Sequence, residues 1–591
     1  MVSLHRAVCA TLVLALAAAA AVSEGGGTLA AAPADFAEWS PDDLVHALLA
    51  PERLPEGFRA SPHRSWCAAS LTAAIREAWD DVSPGARRLL PHVEPDERAR
   101  VPRGHLNQIL DTEHFRIYYT LEGYDAIEYT RAESLAAELE QAYAVFRHDP
   151  RFLMRTPRGE GPVNDEGTAR IVCFVFRLYD ALGTAPIWET SDAECPAGGA
   201  GEIWITSDLD DEYEHSVSAH EVFHVFQAAN RARYSEERFL YESGADWCIG
   251  HVWPQEKYAL NRAGYLLRTP HLPFWDEGDN AYRIYGGSHF WDFLDQRFGP
   301  PAGGRWTAAQ IWWRTCDEPW LAVLEDELAG RGVSMLDALH EFALWNSYTG
   351  TRDDGLHFAE GWRLPGAWHQ HLIDEYPALH HVVHDESRAR WAASNYLLLM
   401  GKADRRMLRF RLESHPEMVG NRRVTMIATT RPANHVQFET LTVDSDVSEY
   451  LVPDWHLYDL ISVIVTNGPN VDDLSDEVLE YSFHAEEFGD SAIDVPWFSV
   501  PAGLRNAPDP FASATFVRFE VVDGVAPTKL FVVDVSGRRV ATLVDERLAS
   551  GWHNRDWSGR DAAGGVVASG VYYLVLENGP TRTVEKAVKV R

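Results

Sequence analysis

The sequence predicts a multidomain chain, an α+β core followed by two all-β sandwiches. Three observations predict it. At 591 residues the chain is longer than one hydrophobic core sustains, since single cores rarely grow past about 250–300 residues. Near residue 380 the apolar pattern changes from helical stripes mixed with strands to short alternating runs. Over 491–591 strand-like runs are separated by tight glycine turns. The expected segments are 1–23, 24–105, 106–378, 379–490 and 491–591.

Taken in order, Met1–Arg6 is short and basic, and Ala7–Val22 is apolar and alanine-rich. Small residues then lead into Ser23-Glu24-Gly25. This is the pattern of a cleavable signal peptide over 1–23, and about 16 apolar residues are too few to span a membrane comfortably. Cys9 lies inside the apolar stretch rather than at its end, which argues against a lipoprotein anchor. Residues 24–105 begin as a Gly/Ala-rich linker and continue with helical spacing, as in Leu44-Val45-Leu48-Leu49 and Leu71-Ile75-Trp79. A helical cap and a propeptide both fit them. In 106–378, strands are expected at Phe115–Tyr119, Ile171–Leu178 and Gly201–Thr206, with helices at Ala132–Phe146 and Val217–Ala229. After Glu242 the pattern is mainly helical, with Tyr285–Leu294 and Met335–Trp345 the clearest stretches. Runs at Tyr396–Met400, Met407–Leu412, Val424–Ala428 and Leu460–Thr466 read as strands of a sandwich, either a ligand-binding module or a spacer.

With 46% hydrophobic residues the chain is globular, and its formal charge of −35 is spread without a long acidic run. That excludes nucleic acid and anionic membrane as favoured partners and suits a soluble secreted protein. No later stretch reads as a membrane span. Cys67, Cys173, Cys195, Cys248 and Cys316 remain after signal cleavage. An oxidising compartment allows two bridges and one leftover. Cys173 with Cys195, which bracket one strand–loop unit, is the first expected pair.

The chemistry concentrates at His220-Glu221-Val222-Phe223-His224. On a helix, His220 and His224 project from one face at the bite of a single metal ion. Glu221, rotated by about 100°, can reach a water on that metal without ligating it. Zinc held this way lowers the pKa of its water, and the carboxylate takes the proton. Downstream, Tyr241-Glu242-Ser243-Gly244-Ala245-Asp246 sets Glu242 and Asp246 four apart on a second expected helix. Two histidines and one carboxylate leave the open fourth position of a catalytic zinc site. Asp246 suits the role of accepting the far N–H of a ligating histidine.

These residues resemble the gluzincin metallopeptidases, the superfamily of thermolysin and the zinc aminopeptidases. The resemblance implies an α+β zincin-like metallopeptidase core. It also implies His220, His224 and Glu242 as Zn2+ ligands, Glu221 as general base and Asp246 as partner of a ligand histidine. The N-E-x-x-S-D wording of thermolysin-like members is absent, so no closer subfamily is implied. In such enzymes the strand before the zinc helix often pairs with substrate, so Ile203–Ser207 is read either as a candidate substrate edge or as an ordinary buried strand. The oxyanion donor is expected from the helical lobe, where Tyr285 and His289 stand four apart; the resemblance favours Tyr285. Cys67 is read either as a core or bridged cysteine or as a latency thiol capping the zinc from a propeptide.

At the other end, Asn506-Ala507-Pro508-Asp509-Pro510-Phe511, Val533-Asp534-Val535-Ser536-Gly537-Arg538, Trp557-Ser558-Gly559-Arg560-Asp561 and Ser569-Gly570-Val571-Tyr572-Tyr573 resemble the C-terminal sorting domains of type IX secretion. They also resemble the related Ig-like domain of flagellar hook-capping proteins. The resemblance covers roughly 500–591. It implies an Ig-like sandwich, bacterial origin, export to the outside or the cell surface, and secretion machinery as a partner. The reading that joins both ends is a secreted bacterial zinc metallopeptidase acting on protein or peptide substrates. An endopeptidase is favoured because no G-x-M-E-N-like motif, which would hold a free amine, stands upstream of His220. The alternative is a non-catalytic surface adhesin or glycan-binding protein on a peptidase-like scaffold.

Overall fold

The computed structural model describes residues 39–590 apart from 55–64, 91–104, 233–237, 277–281, 383–391, 402–406, 415–420, 431–436, 445–448, 469–480, 489–503 and stretches of four residues or fewer elsewhere. The signal-peptide segment 1–23 lies outside the described residues. The chain is mixed α/β with several sheets and divides into two compact units, Met1–Asp490 and Ser491–Arg591.

The first unit opens with α1 (Pro41–Leu49), started by a reciprocal cap. Ser40 Oγ accepts from the Asp43 N–H at 3.2 Å, and Asp43 Oδ2 accepts from the Ser40 N–H at 3.3 Å. Strand β1 (Ser65–Cys67) and helix α2 (Ala69–Glu77) follow. Then come β2 (Gln108–Asp111), β3 (Phe115–Tyr119), α3 (Tyr129–His148), β4 (Ile171–Val175), β5 (Ala181–Thr184), β6 (Ile187–Glu189), β7 (Gly199–Gly201) and β8 (Ile203–Ile205). Six of these strands form one sheet in the order β1-β5-β8-β4-β3-β2.

Side chains alternate across this sheet with the strand period of two. Phe174, Ala181 and Trp204 face a core made by Leu44, Leu48, Leu71 and Ile75 of α1 and α2. Cys173, Val175, Ile203 and Ile205 face the opposite core. That second core is covered by α3, α4 (Asp211–Asn230) and α5 (Arg238–Val252). Helix α4 begins six positions before the expected Val217, and Asp211, Glu212 and Glu214 occupy its first turn, where the helix dipole favours negative charge. Helices α1 and α2 thus cover one face of the sheet, and β1 between them is its edge strand.

The helical lobe continues with α6 (Tyr258–Arg268), a single turn Arg283–Gly286, α7 (Ser288–Phe298), α8 (Thr307–Arg314), α9 (Trp320–Ala329) and α10 (Met335–Asn346). A disulfide joins Cys195, ahead of β7, to Cys316, just after α8, with Cα atoms 5.5 Å apart. The expected Cys173–Cys195 pair does not form. Strand β4 turns Cys173 into the core beside Ile203, and the buried Cys195 is bonded to Cys316 instead.

Two further sheets complete the unit. One runs β10-β17-β12-β15, from β10 (Ala378–Val382), β12 (Met407–Ser414), β15 (Glu449–Pro453) and β17 (Tyr481–Phe488). The other runs β14-β13-β16-β11-β9, from β9 (His371–Ile373), β11 (Ser394–Met400), β13 (Arg422–Thr430), β14 (Gln437–Asp444) and β16 (Leu460–Asn467). They share a core of Leu397, Phe410, Met426, Val463 and Phe483. The outer face of the five-stranded sheet packs on α10, where Tyr396 Oη donates to Ala343 O at 2.9 Å and His340 bonds both Thr425 and Thr466. The second unit sets a three-stranded sheet, β18 (Leu504–Ala507), β19 (Thr515–Val521) and β22 (Gly551–Trp557), against a four-stranded one. The latter holds β20 (Pro527–Asp534), β21 (Arg539–Arg547), β23 (Gly570–Asn578) and β24 (Thr581–Lys589). Trp557 sits in their shared core between Phe511 and Tyr572, and Gly537, at φ 82°, makes the turn from β20 to β21.

Two tests follow from this packing. The Cys195–Cys316 bridge spans 121 positions, and a crosslink over such a loop contributes about 4–5 kcal/mol in the chain-entropy treatment. Replacing both cysteines by Ala should lower the denaturation midpoint accordingly; a loss under about 1 kcal/mol would show that the native packing already restrains the loop. Glu138 on α3 accepts from Ser218 Oγ at 3.0 Å, and burial, then the charge of Glu214, raise its pKa from 4.5 to about 8. Between those values the folded chain keeps a proton that the unfolded chain has lost, so stability falls as pH rises through the window. Glu138→Gln should therefore raise the melting temperature relative to the parent above about pH 8, with the difference shrinking toward pH 4.5. A difference constant across that range would contradict the assignment.

Candidate metal centre

Helix α4 is buried on nearly every side, yet it carries His220, Glu221, His224, Gln227 and Asn230 inside. Buried polar groups need partners, and the partners define a site. The four-residue spacing brings the His220 and His224 rings to 4.6 Å between centroids. Helix α5 crosses beside them and delivers Glu242, whose Oε2 lies 3.2 Å from His220 Nε2 and whose Oε1 lies 3.8 Å from His224 Nε2.

One turn further on α5, Asp246 Oδ1 accepts from His220 Nδ1 at 3.0 Å. Asp246 is itself held by the Arg262 guanidinium from α6. His224 Nδ1 donates to Gln227 Oε1 at 2.7 Å, and the Gln227 amide is oriented by donating from Nε2 to Tyr241 O at 3.0 Å. Both imidazoles are thereby held through Nδ1, with Nε2 turned toward Glu242. That is how ligand histidines are set up around a cation.

A fourth donor comes from far away in sequence. Cys67, at the end of β1, places Sγ 3.6 Å from His224 Nε2 and 3.8 Å from Glu221 Oε2. Donor atoms of Cys67, His220, His224 and Glu242 all lie within 4.8 Å of one another, and all four residues are buried. Tetrahedral zinc, with zinc–nitrogen near 2.0–2.1 Å and zinc–sulfur near 2.3 Å, sets its ligand atoms about 3.3–3.6 Å apart. The separations of 3.2, 3.6 and 3.8 Å match that cage. The group can hold a metal ion.

The pKa values of these groups are shifted by burial and by one another. Burial alone would lower His220, but its hydrogen bonds to Asp246 and Glu242, with the charge of Glu221, hold it up at about 9. Burial pushes His224 down to about 4. Glu221 is raised to about 8 by burial, with the Glu242 charge adding to it. Glu221 Oε1 is buried with no hydrogen-bond partner among the described residues. Gly183 of β5 lets the sheet approach this carboxylate. A Cβ there would meet Glu221 Oε1 at 2.7 Å, so any larger residue would push the carboxylate aside.

The structure brings together His220, Glu221, His224, Glu242, Asp246 and Tyr285. The Tyr285 ring lies 6.1 Å from that of His220, under the Arg262 guanidinium at 4.9 Å. Burial first, then the charge of Glu242, raises the pKa of its hydroxyl. His289 is not at the site. The turn carrying Tyr285 ends before Gly287, and α7 starts a new face. There His289 Nε2 bonds Asn346 Oδ1 at 2.9 Å and the ring packs on Phe358 and Phe342. The expected substrate edge at Ile203–Ser207 is also displaced, because β8 is interior, between β4 and β5. Sequence reasoning missed Gln227 and Arg262. Gln227, three positions after His224 on the same helix, carried a readable signal; Arg262 carried none.

No known family profile matches this sequence, and no curated protein does. Among solved structures, part of the chain is similar to PorZ of the Porphyromonas gingivalis type IX secretion system. That match has 15% identity over 28% of this chain and 23% of that one, with a TM-score of 0.13. PorU of the same organism matches at 13% identity over 28% and 16% of the two chains, with a TM-score of 0.13. The adhesin domain of Epf from Streptococcus pyogenes matches at 5% identity over 34% and 76%, with a TM-score of 0.12. The chain thus spans under a quarter of the length of the first two. Likenesses this faint carry no argument about fold or activity.

If Gln227 orients His224 for a metal, Gln227→Ala should weaken zinc affinity by about 10–100-fold, read by competition with a chromophoric chelator. Unchanged affinity would reduce Gln227 to a packing role.

Proposed function

We propose that this chain is an exported zinc metallopeptidase of the gluzincin type, hydrolysing peptide bonds in protein or peptide substrates. One observation carries the reading: two oriented histidines and Glu242 converge on one point, with the unpartnered Oε1 of Glu221 beside it. Zinc in this site would supply a Lewis acid for the scissile carbonyl and an acidified water as nucleophile. Glu221 takes the proton of the attacking water and returns it to the leaving amine. Tyr285 donates from Oη to the developing oxyanion, and Arg262 holds Asp246 and the Tyr285 ring in place. Under this reading the α+β core is zincin-like and Ser491–Arg591 is an Ig-like sorting domain that engages secretion machinery. Export through a signal peptide over 1–23 belongs to the same reading. No helix among the described residues is long and apolar enough to cross a membrane.

A second reading has one observation in its favour. Four buried donors make a closed set, as structural zinc sites do, and a closed site would suit a non-catalytic surface binding protein. Glu221→Gln separates the two. The peptidase reading expects this change to leave zinc bound one to one and, made alongside Cys67→Ala so that the fourth donor is removed, to lower hydrolysis of an unstructured protein by at least about 10²-fold relative to Cys67→Ala alone. Hydrolysis at the rate of Cys67→Ala alone would remove Glu221 from the chemistry.

A further inference from the structure

The position that a metallopeptidase keeps open for water and substrate is filled here by a side chain of the same chain. We propose that Cys67 is the fourth metal ligand and that β1, which carries it, lies where a substrate strand would lie, so the folded chain is a latent enzyme. This rests on the metallopeptidase reading for its second half only; ligation by Cys67 stands on geometry alone.

Two independent observations meet at this point. The first is the donor set, in which Cys67 Sγ lies within 4.8 Å of donor atoms of His220, His224 and Glu242 and also touches Glu221 Oε2. A thiolate there completes a tetrahedron and leaves no position for water. The second is the sheet. Strand β5 approaches the helix that carries His220 and Glu221, with Gly183 against Glu221. Its outer edge is taken by β1, paired in parallel with Ser65 opposite Ala181 and Cys67 opposite Gly183, and extended by the Ala68 N–H donating to Gly183 O at 3.1 Å. A peptide bound by strand addition needs those same backbone groups of β5. The thiol and the strand therefore block metal and edge together.

Opening does not require loss of the whole N-terminal layer. Leu44, Leu48, Leu71 and Ile75 stay anchored on Phe174 and Trp204 across the sheet. The latch is the three-residue strand Ser65–Cys67, whose displacement frees both the fourth position and the β5 edge.

Cobalt substitution of the full chain tests the ligand. Tetrahedral Co2+ bound by a thiolate shows a sulfur-to-metal charge-transfer absorption that nitrogen and oxygen ligands do not produce. The Co2+-loaded parent should show that band, and Cys67→Ser and Cys67→Ala should lose it while still binding one metal through His220, His224 and Glu242. In the unmutated chain, zinc should slow alkylation of Cys67 at least about tenfold, a readout that survives if a variant fails to fold. A parent without the band, or alkylation indifferent to zinc, overturns the ligation. Activity tests the latch: zinc-loaded Cys67→Ala should cleave an unstructured protein at least about tenfold faster than the parent, and adding Glu221→Gln should abolish the gain. If the band is present and lost on mutation but no activity appears, Cys67 closes a structural site, and both the latch and the peptidase reading fall. If activity rises without any band in the parent, the peptidase reading stands and ligation by Cys67 falls.

Discussion

Helix α4 must bury two imidazoles and a carboxylate in a setting where an unpartnered one costs several kcal/mol. The surrounding architecture answers that requirement group by group. Glu242 and Asp246 come from one face of α5, Gln227 from the next turn of α4 itself, and Arg262 from α6 to balance Asp246. Arg262 then lies over Tyr285 and ties the turn after α6 to the same cluster. The polar groups are linked outward from the centre, and Glu221 Oε1, beside the donor group, is a buried acceptor with no hydrogen-bond partner among the described residues.

The sheet beneath α4 is shaped by the same cluster. Gly183 is required where β5 presses on Glu221, and the strand edge beyond it is occupied by β1. Support for β1 comes from the far side of the sheet, where α1 and α2 share a core with Phe174 and Trp204. The β-rich half of the first unit is bound to the helical lobe just as closely. Both ring nitrogens of the buried His340 on α10 bond threonines of the five-stranded sheet, and Ile427 and Ile464 belong to the same core as α4.

Much of the fold and site was legible because it is local. The strand at Phe115–Tyr119 and the runs near β11, β12, β13 and β16 show their period directly, and the structure places strands there. His220, Glu221 and His224 needed only helical spacing, as did Glu242 and Asp246. Gln227 was equally local and simply went unread. The failures are of another kind. Tyr285 and His289 share a spacing, but the helical turn ends between them and His289 turns to Asn346. Cys195 pairs across 121 positions with Cys316, a distance at which periodicity carries no information.

By itself the sequence determined which side chains share a helix face, and hence three of the four grouped donors, the carboxylate beside them and one histidine partner. Only the tertiary structure decided that β8 is interior, that β5 and β1 form the edge over Glu221, and that Cys67 meets His224 from 157 positions away. The reason is physical. Backbone periodicity fixes neighbours within a turn or two. Sheet order and the fourth donor depend on how separate layers pack to bury Phe174, Trp204 and Ile203 from water.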